Sequence, residues 1–219
     1  MATGATLAGS ASKRFSWNAV TILALVLASL VSARFLLHYA APYFKWDPKY
    51  FDYYWPHRFR LITHISGGIV ALVCGTLQLW TGLRQRAMRF HKWTGRVYLL
   101  GVAVGILGAF LMTLSTTPKS FGVALRGLAT AWLVTTAIAW AAIVRGRVAM
   151  HKEWVVRSYL VTFAFVTFRV ITDNLPWLAS RLGNNTDDAA ANVTWLSWVI
   201  PLAVYEVILQ SRKLFRNAE

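Results

Sequence analysis

Six long apolar stretches alternate with short polar ones along the chain, at about 17–41, 60–82, 93–115, 121–144, 153–178 and 192–211. A helix needs about 20 residues to cross a hydrocarbon core of roughly 30 Å. The pattern therefore predicts an all-α, polytopic membrane protein with six transmembrane helices. Residues 1–16 are rich in small side chains and read as a mobile N-terminal tail, 17–211 as the transmembrane domain, and 212–219 as a basic C-terminal tail. Lys13 and Arg14 followed by an apolar run to Val31-Ser32-Ala33 have the outline of a signal peptide. Apolar character resumes after Arg34 and continues to about Tyr43, which favours an uncleaved span. Between the first two runs, Trp46, Phe51, Tyr53, Tyr54, Trp55 and Pro56 form an aromatic segment suited to headgroup depth.

The polar punctuation repeats. His-Lys-Trp-Thr-Gly-Arg-Val-Tyr-Leu begins at His91, and His-Lys-Glu-Trp-Val-Val-Arg-Ser-Tyr-Leu begins at His151. A basic turn precedes each, with Arg84 and Arg86 before the first and Arg145 and Arg147 before the second. The second and third spans thus repeat as the fourth and fifth, in parallel orientation. A four-helix core results, with the first and sixth spans flanking it. Small residues four apart, Gly67, Ala71 and Gly75 in the second span and Gly101, Gly105 and Ala109 in the third, predict close helix approach. Gly67 and Gly68, just beyond His64, also suggest room for a flat cofactor.

Composition agrees with a membrane solvent: 57% of the 219 residues are hydrophobic, 14% are charged, and there are 11 Trp. The net charge of +15 follows the span pattern. With both termini cytoplasmic, Lys13, Arg14, Arg84, Arg86, Arg89, Lys92, Arg96, Arg145, Arg147, Lys152, Arg157, Arg212, Lys213 and Arg216 fall on the inner side. Only Lys45, Lys49, Arg58, Arg60, Lys119 and Arg181 fall outside. This bias predicts the N-in, C-in topology of an inner-membrane protein. The charge then serves orientation and anionic lipid headgroups, which makes nucleic acid an unneeded partner. A membrane-protein partner or a second copy of the chain remains a candidate. The lone Cys74 excludes an intrachain disulfide and Cys-x-x-Cys chemistry. Phosphate-binding, dinucleotide, His-Glu-x-x-His and Gly-x-Ser-x-Gly motifs are absent as well.

Ionisable residues within spans usually face the bundle and carry function or pair. By helical rise they fall in two layers. The inner layer holds His91, Arg96, Tyr98, His151, Glu153, Arg157, Tyr159 and Glu206; the outer holds Arg34, His38, His64, Arg126, Arg169 and Asp173. His91 and His151 are candidate axial ligands of a haem iron, with Arg84, Arg86, Arg145 and Arg147 near its propionates. Snorkelling to headgroups is the plain alternative for such rim residues. His64 with His38 is a second candidate haem or metal pair, and a quinone fits the same residues, with a histidine or arginine beside aromatic walls. Arg96 and Arg157 are candidate cofactor contacts in the inner layer. Arg169 and Asp173, four apart, are placed for an ion pair, and Glu206 lies at the depth of Arg96 and Arg157.

The runs HISGGIVALVCGTLQLWTGLRQR from His64, HKWTGRVYLLGV from His91 and HKEWVVRSYLVTFAFVTFR from His151 resemble a bacterial family of predicted membrane proteins, domain of unknown function 2306. The resemblance covers roughly 50–180 and includes His64, Gly68, Gly75, Gln78, Arg84, His91, Gly95, Arg96, Tyr98, His151, Trp154, Arg157, Tyr159 and Arg169. It implies a membrane fold and carries no activity. A looser likeness to cytochrome b561-type bundles implies haem b held by histidines on four adjacent helices. The chain departs from that plan, because 121–144 contains no histidine, so each layer has ligands for one haem at most. Electron transfer through haem b or quinone is the leading expectation. A non-enzymatic membrane subunit or assembly factor is the alternative, and a small-molecule transporter, suggested by the parallel repeat, is the third.

Overall fold

A computed structural model describes residues 19–85, 87–113, 119–183 and 185–216. The expected tail at 1–16, Arg86 of the first basic turn, and 217–219 lie outside the described residues. The described residues are helical throughout their long segments, with no strand among them, and six helices are long and apolar enough to span a bilayer. The first span is α1 (Ala19–Phe35), continued by a π-helical turn at Leu36–Ala40 and a 3-10 turn at Ala41–Lys45. A four-residue α2 (Pro48–Phe51) and a 3-10 turn (Asp52–His57) lead into α3 (Arg58–Arg84). Then follow α4 (Met88–Thr113), α5 (Lys119–Val144), α6 (Val148–Thr162), α7 (Ala164–Asn174), α8 (Pro176–Arg181) and α9 (Thr186–Arg216).

The four central spans form the core. In each, 39% of the most apolar stretch is buried within the protein, against 6% for the first span and 17% for the sixth. In a bilayer the exposed apolar side chains of α1 and α9 meet lipid, so burial in protein separates core from flank. Lipid tails are as apolar as leucine, which leaves close packing and hydrogen bonds to hold the helices together.

Glycine allows the closest approach, between α3 and α4. A Cβ on Gly67 would strike the backbone of Gly105 and lie 2.6 Å from Gly101 O; one on Gly101 would lie 2.9 Å from Ala71 N. Backbone therefore meets backbone along the small-residue stripe. Gly75 has a different task. A Cβ there would fall 2.7 Å from Tyr159 Cε2 and 3.1 Å from Tyr98 Cε2. The tyrosines of the two repeated phrases meet over this one glycine, from α4 and α6.

Local sequence explains where the helices turn and break. The α3–α4 turn places two non-glycine residues, Gln85 and Ala87, at φ 48° and 54°, whereas the α5–α6 turn uses Gly146 at φ 71°. Left-handed backbone costs an L-residue about 1–2 kcal/mol, so the first hairpin turn is the more strained of the two. The fifth span, expected to be continuous, is interrupted by one turn residue, Phe163, between α6 and α7. Thr162 Oγ1 donates to Ser158 O at 2.9 Å and Thr167 Oγ1 to Phe163 O at 3.3 Å. Such back-bonding hydroxyls bend helices. The sixth span starts earlier than expected, because Asn185 Oδ1 accepts from Asp188 N at 2.9 Å and Asp187 and Asp188 favour a helix N-terminus. It also continues through Arg212 and Lys213 to Arg216, so the basic tail is helical that far.

The aromatic segment folds back over the end of the core remote from the two basic turns. Phe51 is 1% exposed and packs with Leu61 and Met112, surrounded by Tyr43, Tyr50, Tyr54 and Trp55. Asp47 caps α2 by accepting from Lys49 N at 3.1 Å. That backbone bond, helped by the Lys49 ammonium 3.2 Å away, holds the Asp47 carboxyl below the usual carboxylate range.

Candidate functional site

The two polar layers are built differently. At the end carrying the basic turns, almost every polar group is engaged by another. His91 Nδ1 lies 2.8 Å from Thr81 Oγ1 on α3, and His151 Nδ1 lies 2.8 Å from Ala139 O on α5. Each histidine thus ties its helix to the preceding one in its hairpin. Thr81 Oγ1 also lies 2.7 Å from Leu77 O, and when it gives its proton to that carbonyl His91 is the donor to Thr81. A carbonyl only accepts, so His151 also carries its proton on Nδ1. Gln78 reinforces the first hairpin, donating to His91 O and, at 2.5 Å, to Thr94 Oγ1.

Arg157 is 8% exposed and holds α6 to α9: Nε reaches Glu206 Oε1 at 2.5 Å and Nη2 reaches Oε2 at 3.0 Å. Its guanidinium also lies over Trp154 and Tyr205, at 4.7 and 5.4 Å. Glu153 stands 3.8 Å from Nη1 and accepts from Lys213 Nζ at 2.9 Å. Arg157 therefore faces carboxylates and aromatic rings. Arg96 is exposed on α4.

Deeper in the bundle, hydroxyls join four helices. Tyr98 Oη contacts Ser158 Oγ at 2.6 Å and Thr162 Oγ1 at 2.9 Å; Ser158 Oγ also contacts Thr136 Oγ1 at 2.6 Å. Tyr159 Oη contacts Thr76 Oγ1 at 2.6 Å. The tyrosines of the repeat thus lock α3, α4, α5 and α6 at one depth.

The remote end is open by contrast. An apolar cavity of about 250 Å³ lies beneath the aromatic segment, with walls from α1's continuation, α3, α4, α5, α6, α7 and α9. His64 stands in its wall and directs Nδ1 to Gly105 O at 2.8 Å. Close contact of α3 with α4 makes this bond, since a Cβ on Gly108 would lie 2.7 Å from His64 Cα. Phe165 packs edge-on against the imidazole at 5.0 Å. Arg169, one turn further along α7, lines the same cavity and lies 5.1 Å from the Tyr39 ring. Gly68 also faces it, and a Cβ there would meet nothing within 4 Å. The adjacent glycines therefore divide two tasks: Gly67 serves helix packing, and Gly68 leaves space.

Other expected pairs are not brought together. His38 is exposed, packs against Tyr39 at 4.8 Å and is not in the cavity wall, so it does not join His64. Arg169 turns to Tyr39 while Asp173 accepts from Thr172 Oγ1 at 3.0 Å, and no ion pair links them among the described residues. Arg34 and Arg126 are exposed. No group of three or more His, Cys, Asp or Glu side chains is placed to hold a metal ion among the described residues. The cavity walls supplied by Tyr39, Trp132, Thr194 and Ser197 were not anticipated. Their helical spacing is indistinguishable from lipid-facing or core spacing without knowing which helices surround the gap.

Fold and site together define a six-span α-helical membrane protein with a duplicated hairpin, a polar clasp at one end and a histidine-walled apolar cavity at the other. The chain belongs to the family of predicted membrane proteins designated domain of unknown function 2306, whose profile matches residues 61–209. The match includes the sixth span, beyond the expected limit near 180, and leaves α1 and the aromatic segment outside. No curated protein and no solved structure matches the chain.

Proposed function

We propose that this is a bacterial inner-membrane protein, with both termini cytoplasmic, that binds the ring of a membrane-soluble quinone-class electron carrier in the cavity beside His64. The observation that carries the reading is the wall itself: a mostly apolar gap into whose wall α3 brings one imidazole, His64, and α7 one arginine, Arg169. Ligand sites of this type combine apolar walls with a few polar groups that orient the ligand. A six-membered ring with oxygens at opposite ends suits two polar contacts that come from different helices, His64 from α3 and Arg169 from α7. A bis-histidine haem suits the cavity less well, since His38 does not reach it.

The N-in topology follows from the basic turns and places the cavity in the outer leaflet. Phe35 of α1 and Tyr39, Ala40 and Tyr43 of its continuation form one wall there. Gly68 provides the test, because it lines the gap and a Cβ built there meets nothing within 4 Å. In lipid nanodiscs, decylubiquinone should bind the wild-type protein and lose at least tenfold in affinity with Gly68→Phe, while the thermal unfolding midpoint stays near wild type. Equal binding by both proteins would overturn the assignment.

One observation supports a second reading, a haem between His91 and His151. Both imidazoles direct Nδ1–H to a neighbouring helix and keep Nε2 as a lone pair. Axial histidines are commonly oriented by such a bond. Against it, Arg157 is engaged by Glu206. Protein expressed with ample haem should show a Soret band that disappears in His91→Ala and His151→Ala and persists in His64→Ala; a featureless spectrum would eliminate this reading.

A further inference from the structure

The cavity contains a bias that the presence of His64 alone does not reveal: the imidazole and the nearby Thr113, Thr194 and Ser197 hydroxyls have their protons committed to backbone carbonyls. Gly105 O can only accept, so the His64 proton sits on Nδ1, and the neutral ring presents Nε2 as an acceptor. The hydroxyls in the wall behave alike. Thr113 donates to Phe110 O at 2.9 Å, Thr162 to Ser158 O at 2.9 Å, Thr194 to Ala190 O at 2.8 Å, and Ser197 to Thr194 O at 2.7 Å. Each proton goes to the residue's own helix, and the Thr162 oxygen is further occupied by Trp132 and Tyr98, so it offers the gap nothing. The indole N–H of Trp132 is taken by Thr162 Oγ1 at 2.8 Å. Arg169, which is exposed, supplies fixed donors, and the hydroxyls of Tyr39 and Tyr43 can turn either way.

An imidazole nitrogen that can only accept fits a ligand group that donates. A quinone offers two carbonyl oxygens, both acceptors, so a carbonyl facing His64 Nε2 sets lone pair against lone pair. A quinol offers a hydroxyl at the same place, and its O–H donates to Nε2 while its other oxygen accepts from Arg169. Unmatched polar groups in a water-poor site are costly, and sites built around a ligand hydroxyl reject analogues lacking it by large factors. We infer that the His64 cavity selects the reduced, hydroxyl-bearing form of its carrier, a quinol, over the corresponding quinone. The inference rests on the proposed quinone-class reading and goes further by assigning the redox state that the walls recognise. By linkage, tighter binding of the reduced form raises the potential of the bound two-electron couple, by about 30 mV for each tenfold preference.

The test compares decylubiquinol, decylubiquinone and the dimethyl ether of decylubiquinol on wild-type protein in nanodiscs at pH 8, where an ordinary imidazole is neutral. The expected result is at least tenfold tighter binding of the quinol, with the ether no tighter than the quinone. The ether keeps ring and tail and lacks only the hydroxyl protons, so this comparison needs no variant to fold. His64→Phe should bring quinol and quinone to similar affinity, and His64→Gln, which can donate to Gly105 O while presenting an acceptor oxygen, should restore the preference. Equal affinity of quinol and quinone, or an ether that binds like the quinol, overturns the selection while leaving the cavity reading intact. If none of the three binds, the quinone-class reading itself fails.

Discussion

The two ends of the core contain similar residue types and use them in opposite ways. At the end with the basic turns, His91, His151, Arg157, Glu206, Glu153 and Lys213 are bound to one another or to backbone. At the remote end, His64 has one bond, to Gly105, and otherwise faces an apolar gap. A buried polar group without a partner is costly, and evolution tolerates that cost where something else occupies the space. Polarity within a span is therefore a poor guide to function until its partners are known. A layer whose polar groups engage one another holds the bundle together; a half-engaged one is where the proposed ligand site lies.

That contrast can be broken most severely at the engaged end. Glu206→Ala leaves the Arg157 guanidinium, 8% exposed, with only the more distant Glu153. Removing one partner of a buried pair costs about 3–5 kcal/mol. Because the Glu206 side chain is 38% exposed, the expected loss is toward the low end, about 3 kcal/mol, read from reversible unfolding in micelles. A loss below about 1 kcal/mol would mean that the clasp is ornamental.

Next in size is Gly67→Ala, whose methyl would force the α3 and α4 backbones apart. Overpacking of this kind typically costs 1–3 kcal/mol, and about 2 is expected here because only backbone faces the new methyl. The same substitution one residue later sharpens the comparison. Gly68→Ala adds a methyl in open space and removes a helix-interior glycine, so stability should rise by about 0.5–1 kcal/mol. A destabilised Gly68→Ala protein would show that the gap is closed in solution.

The mildest test concerns the hairpin turns. Ala87→Gly relieves a left-handed alanine in the first turn, and a gain of about 1 kcal/mol is expected. Gly146→Ala in the second turn should lose a comparable amount. Opposite signs at the two positions would establish that the duplicated turns differ in strain; matching signs would refute it.

Much of the fold was legible from residue order. Six apolar runs specified six spanning helices, and the repeated His-Lys phrase marked the hairpins whose helices now meet at Gly75 through Tyr98 and Tyr159. Less of the site was legible. Spacing put Arg169 and Asp173 on one helix face, yet Arg169 turns to an aromatic ring on the continuation of α1. Depth put His38 near His64, but depth says nothing of direction around a helix axis, and His38 faces outward. Glu206 had two cationic candidates at its depth, and packing of α9 against α6 chose Arg157 over Arg96.

Sequence by itself determined the solvent, the number of spans, the duplication and the depth of each polar group, because hydrophobic length, repeated motif and helical rise are one-dimensional quantities. Tertiary structure decided which polar groups meet and which remain open. Those outcomes depend on azimuth and on the distance between helices. A hydrogen at Gly67 brings α3 against α4 and a hydrogen at Gly68 leaves a gap; in the sequence they are the same letter.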